Sequence, residues 1–182
     1  MRKAKVVCLQ RRHYVITTKS KPGLPVAENR LQRQFNVDAP NRVWTVDITY
    51  LSTQEGGLYL AIVLDLFSRR IIGWCLDEYL RETLAGNALQ MALTRRTPTG
   101  SLMHHSDRGC QYTSAACQAR NCYDNAVAER FFGSLKSERT DQEIYSTRTQ
   151  AKSAVIDYTS QRLHSTLGYR TPIHYEQAHG FS

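Results

Sequence analysis

Residues 43–76 read VWTVDITYLSTQEGGLYLAIVLDLFSRRIIGWCL, and this stretch decides the fold. Val43 to Leu51 is rich in β-branched and aromatic side chains and predicts a strand. Glu55-Gly56-Gly57 predicts a turn. Leu58 to Leu66 predicts a second strand, apolar enough for the middle of a sheet. Ser68-Arg69-Arg70 then makes a tight connection to a third strand, Ile71 to Leu76. Further on, Leu84, Ala88, Leu89, Ala92 and Leu93 form a helical stripe within Arg81 to Arg95, which stops before Pro98 and Gly100. Ser101 to His105 predicts a short strand, and a helix is expected from Asp124-Asn125 to about Glu138 with Val127, Phe131, Phe132 and Leu135 inward. A last helix is expected over Thr147 to Tyr158, followed by polar sequence and a turn at Gly168–Pro172. Hairpin strands followed by helix, strand and helix give an α/β fold: a mixed sheet flanked by helices.

The chain has 182 residues, enough for one good-sized domain with a tail. Its 41% hydrophobic and 22% charged residues exclude a wholly disordered chain. The longest apolar run is far too short for a membrane span, and the basic start has no signal-peptide core, so a cytoplasmic protein is expected, without a membrane partner. Five cysteines in irregular spacing, with no Cys-x-x-Cys pair, speak against a zinc site. The net charge of +8 is concentrated: residues 1–36 hold nine Lys and Arg against Glu28 alone, and the remainder is neutral. A basic arm on a neutral body suggests a polyanion, usually nucleic acid, and makes Arg11 and Arg12 candidate DNA contacts; a solvated tail is the plainer alternative. Pro40-Asn41 marks the boundary. The expected organisation is a basic arm over 1–40, a core over 41–145, and a C-terminal helix and tail over 146–182.

Three acids stand in unusual places. Asp47 interrupts an apolar and aromatic strand, where a carboxylate is costly unless paired or metal-bound. Asp107 follows a later strand at the end where open α/β sheets place ligands, and Glu129 lies in the second turn of the expected helix. Taken singly, each is more often structural or solvated. Together, carboxylates from separate elements can hold two Mg²⁺ ions about 3.5–4 Å apart, an arrangement that catalyses phosphodiester displacement. Asp65, ending the second strand, reads as structural.

The segments PNRVWTVDITYLST, LYLAIVLDLFSRRIIGW, HHSDRGCQYTS, NCYDNAVAERFFGSLKSE and RLHSTLGYRTP resemble the integrase-type catalytic core of bacterial insertion-sequence transposases, over about Thr17 to Glu176. That resemblance implies a ribonuclease H-like fold, two Mg²⁺ or Mn²⁺ ions, DNA cleavage with strand transfer, a homo-oligomer when active, and transposon ends and target DNA as partners. By position it implies a triad of Asp47, Asp107 and Glu129 as catalytic and metal-binding residues. Only 21 residues separate Asp107 from Glu129, about fourteen fewer than in the family, roughly a short helix plus a strand. One helix and the last edge strand are therefore expected to be absent, and the alternative function is a non-catalytic DNA-binding remnant.

Helical steps of four and seven put Glu129, Gly133 and Lys136 on one face: a carboxylate, a gap without side chain, and a cation suited to a DNA phosphate. Arg162 and His164 are further candidate phosphate contacts, with a solvated loop equally open. His104-His105 could assist a metal or simply end the strand, and Asp124 reads as a helix cap.

Overall fold

The computed structural model describes residues 35–106 and 126–181. The basic arm with Arg11 and Arg12, Asp107, Asp124, and the stretch expected to lack a helix and strand all lie outside the described residues. The described chain forms strands β1 (Val43–Thr53), β2 (Gly56–Asp65), β3 (Ile71–Asp77) and β4 (Met103–Ser106), with helices α1 (Thr83–Arg96), α2 (Ala126–Leu135), α3 (Arg148–Gln161) and α4 (Pro172–Ala178).

The strands join one mixed sheet in the order β3-β2-β1-β4. β1 to β3 form an antiparallel meander, and β4, reached through α1, lies parallel to β1. A parallel partner needs a crossover, which α1 supplies. β1 and β2 sit between neighbours, so residues 60–65 of β2 are buried on both faces.

Alternation along the strands sorts two cores. Trp44, Val46, Ala61, Val63 and Ile72 face α1, which contributes Leu84, Ala85, Ala88 and Ala92. The opposite face presents Val43, Leu51, Leu60, Ile62 and Leu64 to α2 and α3, which contribute Phe131, Phe132 and Leu135, and Ala151, Val155 and Tyr158. Leu93, expected in the buried stripe of α1, is exposed instead, because the covered strip of that helix follows Leu84, Ala88 and Ala92. α1 approaches so closely that a Cβ on Gly73 would collide with the Ala88 carbonyl oxygen.

α3 starts where expected, with the Thr147 hydroxyl accepting from the Gln150 N–H at 3.1 Å. Two features depart from expectation. The helix holding Glu129 is α-helical only to Leu135, and Lys136–Thr140 is a wider π turn. The presumed turn at Gly168–Pro172 instead opens α4: Gly168 takes φ +66°, Thr171 caps, and Pro172 fills the first helical position.

Candidate functional site

Asp47 belongs to the odd-numbered set of β1, which faces α2 and α3, and its cross-strand neighbour Ile62 lies in that core. It is only 9% exposed, and its Oδ1 accepts the Ile48 N–H at 2.8 Å. Thr45 and Thr49, two residues away on either side, are buried on the same face. A polar strip thus runs along the middle of an otherwise apolar strand.

β4 adds to that strip. Its register sets Thr45 beside His105 and Val46 beside Ser106, so His105 shares the face of Asp47 and His104 the face of α1. Burial, and then the neighbouring His105, lowers the His104 pKa to about 4, leaving a neutral ring at pH 7. The described part of the strand ends at Ser106, whose next residue in sequence is Asp107.

α2 packs against β1 with Ala128, Phe131, Phe132 and Leu135 inward. This amphipathic pattern leaves Glu129, Arg130 and Gly133 exposed, and a Cβ on Gly133 would meet nothing within 4 Å. The expected surface of a carboxylate beside a gap is therefore present. Lys136 is half-buried and begins the π turn. Among the described residues, no three His, Cys, Asp or Glu side chains form a metal-binding group.

Arg162 is engaged by the protein rather than lying in a solvated loop. Its Nη2 donates to Ser134 Oγ at 2.9 Å and to Glu138 Oε1 at 3.3 Å, and its Nη1 lies 3.1 Å from His164 Nδ1. Tyr158 donates to the other Glu138 oxygen at 2.7 Å, so this cluster locks the π turn against α3. Burial, followed by the charges of Arg162 and Arg69, lowers the His164 pKa to about 4.

Asp65 is structural, as its position suggested: it is fully buried and accepts the N–H groups of Asn41 at 2.7 Å and Phe67 at 2.8 Å. Sequence reasoning missed Glu176. This carboxylate is 1% exposed and binds Ser68 at 2.7 Å, Arg70 at 2.5 Å and Arg96 at 2.5 Å. Burial pushes its pKa up, but those three hydrogen bonds outweigh it and hold the carboxyl below its ordinary value. The Thr-Pro pair at 171–172 signals the helix that carries it, but nothing local signals its partners. Arg69 and Arg130 were also missed; both line a pocket with Arg162 and His164.

A family model described as Integrase core domain matches residues 37–143, and a second of the same description matches residues 129–179. The chain belongs to the integrase core family. Among its relatives, the uncharacterized 31 kDa protein of insertion element IS600 from Shigella sonnei is 40% identical over 184 residues, covering 91% of this chain and 68% of that protein. The transposase InsF of insertion sequence IS3A from Escherichia coli K12 is 43% identical over 173 residues, covering 85% of this chain and 60% of InsF. This integrase core chain thus spans about two thirds or less of the length of these curated relatives. The HTLV-2 integrase catalytic core domain, solved in complex with magnesium, has a TM-score of 0.55 at 16% identity, covering 75% of this chain and 96% of that one. The architecture is therefore the ribonuclease H-like sheet of integrase cores. No helix among the described residues is long and apolar enough to cross a membrane.

Proposed function

We propose that this integrase core performs DNA transposition, cutting a phosphodiester bond and transferring the strand, with Asp47, Asp107 and Glu129 as its carboxylate triad. The observation that carries this reading is helix placement: α2, which bears Glu129 on its exposed side, packs over the face of the sheet that holds Asp47. The third acid, Asp107, follows Ser106 in sequence, and Ser106 is paired with Val46, the residue before Asp47.

The donor set suits a hard cation. Carboxylate oxygens match Mg²⁺ or Mn²⁺, and a carboxylate as buried as Asp47 benefits from a counter-charge. Asp47, Asp107 and Glu129 would hold two such ions, whose chemistry would be to activate the attacking hydroxyl and stabilise the leaving oxygen. The protein supplies the rest. The β1–β2 pairing fixes Asp47, and the aromatic inner face of α2 fixes the helix that presents Glu129. The side-chain-free surface at Gly133 admits a DNA backbone beside Glu129. Lys136 and the arm residues Arg11 and Arg12 are proposed to neutralise phosphates, with transposon ends and target DNA as partners and a homo-oligomer as the active form.

The test is nicking of supercoiled DNA by the full chain with Mg²⁺, comparing wild type, Asp47→Asn and Glu129→Gln. Both variants are expected to lose at least about 10³-fold in rate, a change of about 4 kcal/mol, while still binding DNA. DNA binding by the wild type without metal-dependent nicking would overturn the catalytic reading and leave a DNA-binding remnant.

A further inference from the structure

A cavity of about 270 Å³ opens between the β2–β3 turn, the first turns of α2, and residues 162–166. That is several times the roughly 30 Å³ share of one water molecule. Its wall holds Arg69, Arg130, Arg162, His164, Ser165 and Thr166 with apolar Leu64 and Phe131, and among the described residues no Asp or Glu lines it. Three guanidinium groups with two hydroxyls and an imidazole make a basket of donors.

Two buried donors there lack an acceptor among the described residues. Arg69 sits at φ +60°, and its Nη2 donates to the Phe35 carbonyl at 3.0 Å, which fixes the side chain. Its Nη1 is buried without a hydrogen-bond partner among the described residues, and so is Arg162 Nε. Buried donors are costly when unpaired. Arginine has no acceptor, so the Arg162–His164 contact requires Nδ1 to accept. The neutral His164 ring then carries its proton on Nε2, as a donor. Burial and then the like charge of Arg130 lower the Arg69 pKa, so the cations oppose one another across this site. The nearby acids are already engaged: Glu138 by Arg162 and Tyr158, and Asp65 by the Asn41 and Phe67 N–H groups.

We infer that this pocket is a phosphate subsite, taking one backbone phosphate of the DNA strand that runs past Glu129. A phosphate offers the acceptor oxygens and the negative charge that the pocket lacks. Arg130 follows Glu129 directly on α2, so a phosphate held there fixes the strand relative to that carboxylate. The inference rests on the DNA-handling reading above, but it concerns residues outside the triad.

The same donors would accept inorganic phosphate, so two arms are needed, both on the full chain. In one, fluorescence anisotropy follows a labelled duplex oligonucleotide over a salt series. In the other, thermal unfolding is followed with inorganic phosphate against chloride at matched ionic strength. Arg130→Gln is the main variant, since Arg130 is exposed. It is expected to weaken DNA binding about tenfold and to reduce the slope of log affinity against log salt by about one, as loss of one phosphate contact requires. Arg130→Lys should recover part of the affinity. Phosphate should raise the melting temperature of the wild type, and Arg130→Gln should remove that rise. Wild-type DNA affinity and salt slope in Arg130→Gln would overturn the inference, whatever free phosphate does. Asp47→Asn separates the two readings: it should abolish nicking yet bind DNA with the wild-type salt slope.

Discussion

The two faces of the sheet are built for different work. The α1 face is a close contact with small residues, Gly73 lying under Ala88 and Ala92, and Trp44 is the largest side chain of that core among the described residues. The α2/α3 face has larger and more varied packing, with Phe131, Phe132, Tyr145 and Tyr158 against the strands, and it carries Asp47, His105 and the arginine pocket. A sheet with one tightly packed face can hold polar groups on the other, because the first face fixes strand positions while the second tolerates interruption by charge. The strand residues alternate accordingly: Trp44, Val46 and Ile48 are wholly apolar, while Thr45, Asp47 and Thr49 are polar.

Changes on either face should break different properties. The largest effect belongs to the polar face, where Glu129→Gln is expected to cost about 4 kcal/mol in the nicking barrier with an unchanged melting temperature. Next comes the clasp at the end of the sheet, where Glu176 ties α4 to the β2–β3 turn and to the last turn of α1. Glu176→Gln removes the counter-charge of the nearly buried Arg96 and should destabilise the fold by about 3 kcal/mol in urea unfolding. The Glu176 pKa is lowered on folding, so its stabilisation is present above pH 4.5 and lost as pH falls below it. The variant should lack that acid-dependent loss.

Gly73→Ala probes the close-packed face. The added methyl meets backbone at Ala88 and Ala92, which cannot swing aside, so about 1–3 kcal/mol of stability should be lost. The nicking rate per folded molecule should stay unchanged. The smallest effect is expected at His164, whose pKa falls from 6.5 to about 4 on folding. Below pH 6.5 the unfolded chain binds the extra proton first, so stability declines from pH 6.5 toward pH 4. His164 is partly open to solvent, and screening keeps this under about 1 kcal/mol. Denaturation midpoints for wild type and His164→Gln across that range would reveal it as a flatter profile in the variant.

Much of this was legible in advance. The three strands of the meander and α3 follow from local signals: alternation, the Gly56-Gly57 turn and the Thr147 cap. The exposure of Glu129 and Gly133 followed from helical period alone. The π turn that begins at Lys136 was not legible, because no local residue announces the change of period. The exposure of Leu93 has a similar origin. A hydrophobic stripe allows more than one covered strip, and the neighbour strand chooses among them.

The sequence by itself determined the class of fold, the isolation of Asp47 among apolar neighbours, the concentration of charge in the first 36 residues, and the motifs that mark an integrase core. Only the tertiary structure decided that α2 covers the Asp47 face, that Arg162 is spent largely on Glu138, Ser134 and His164, and that Arg69 and Arg130 share a pocket with it. The same holds for Glu176, whose partners Ser68 and Arg70 lie 108 and 106 residues away. Local periodicity records which side of an element is apolar. It holds no record of which distant charge will arrive there, because that pairing is fixed by strand order and helix packing across the whole chain.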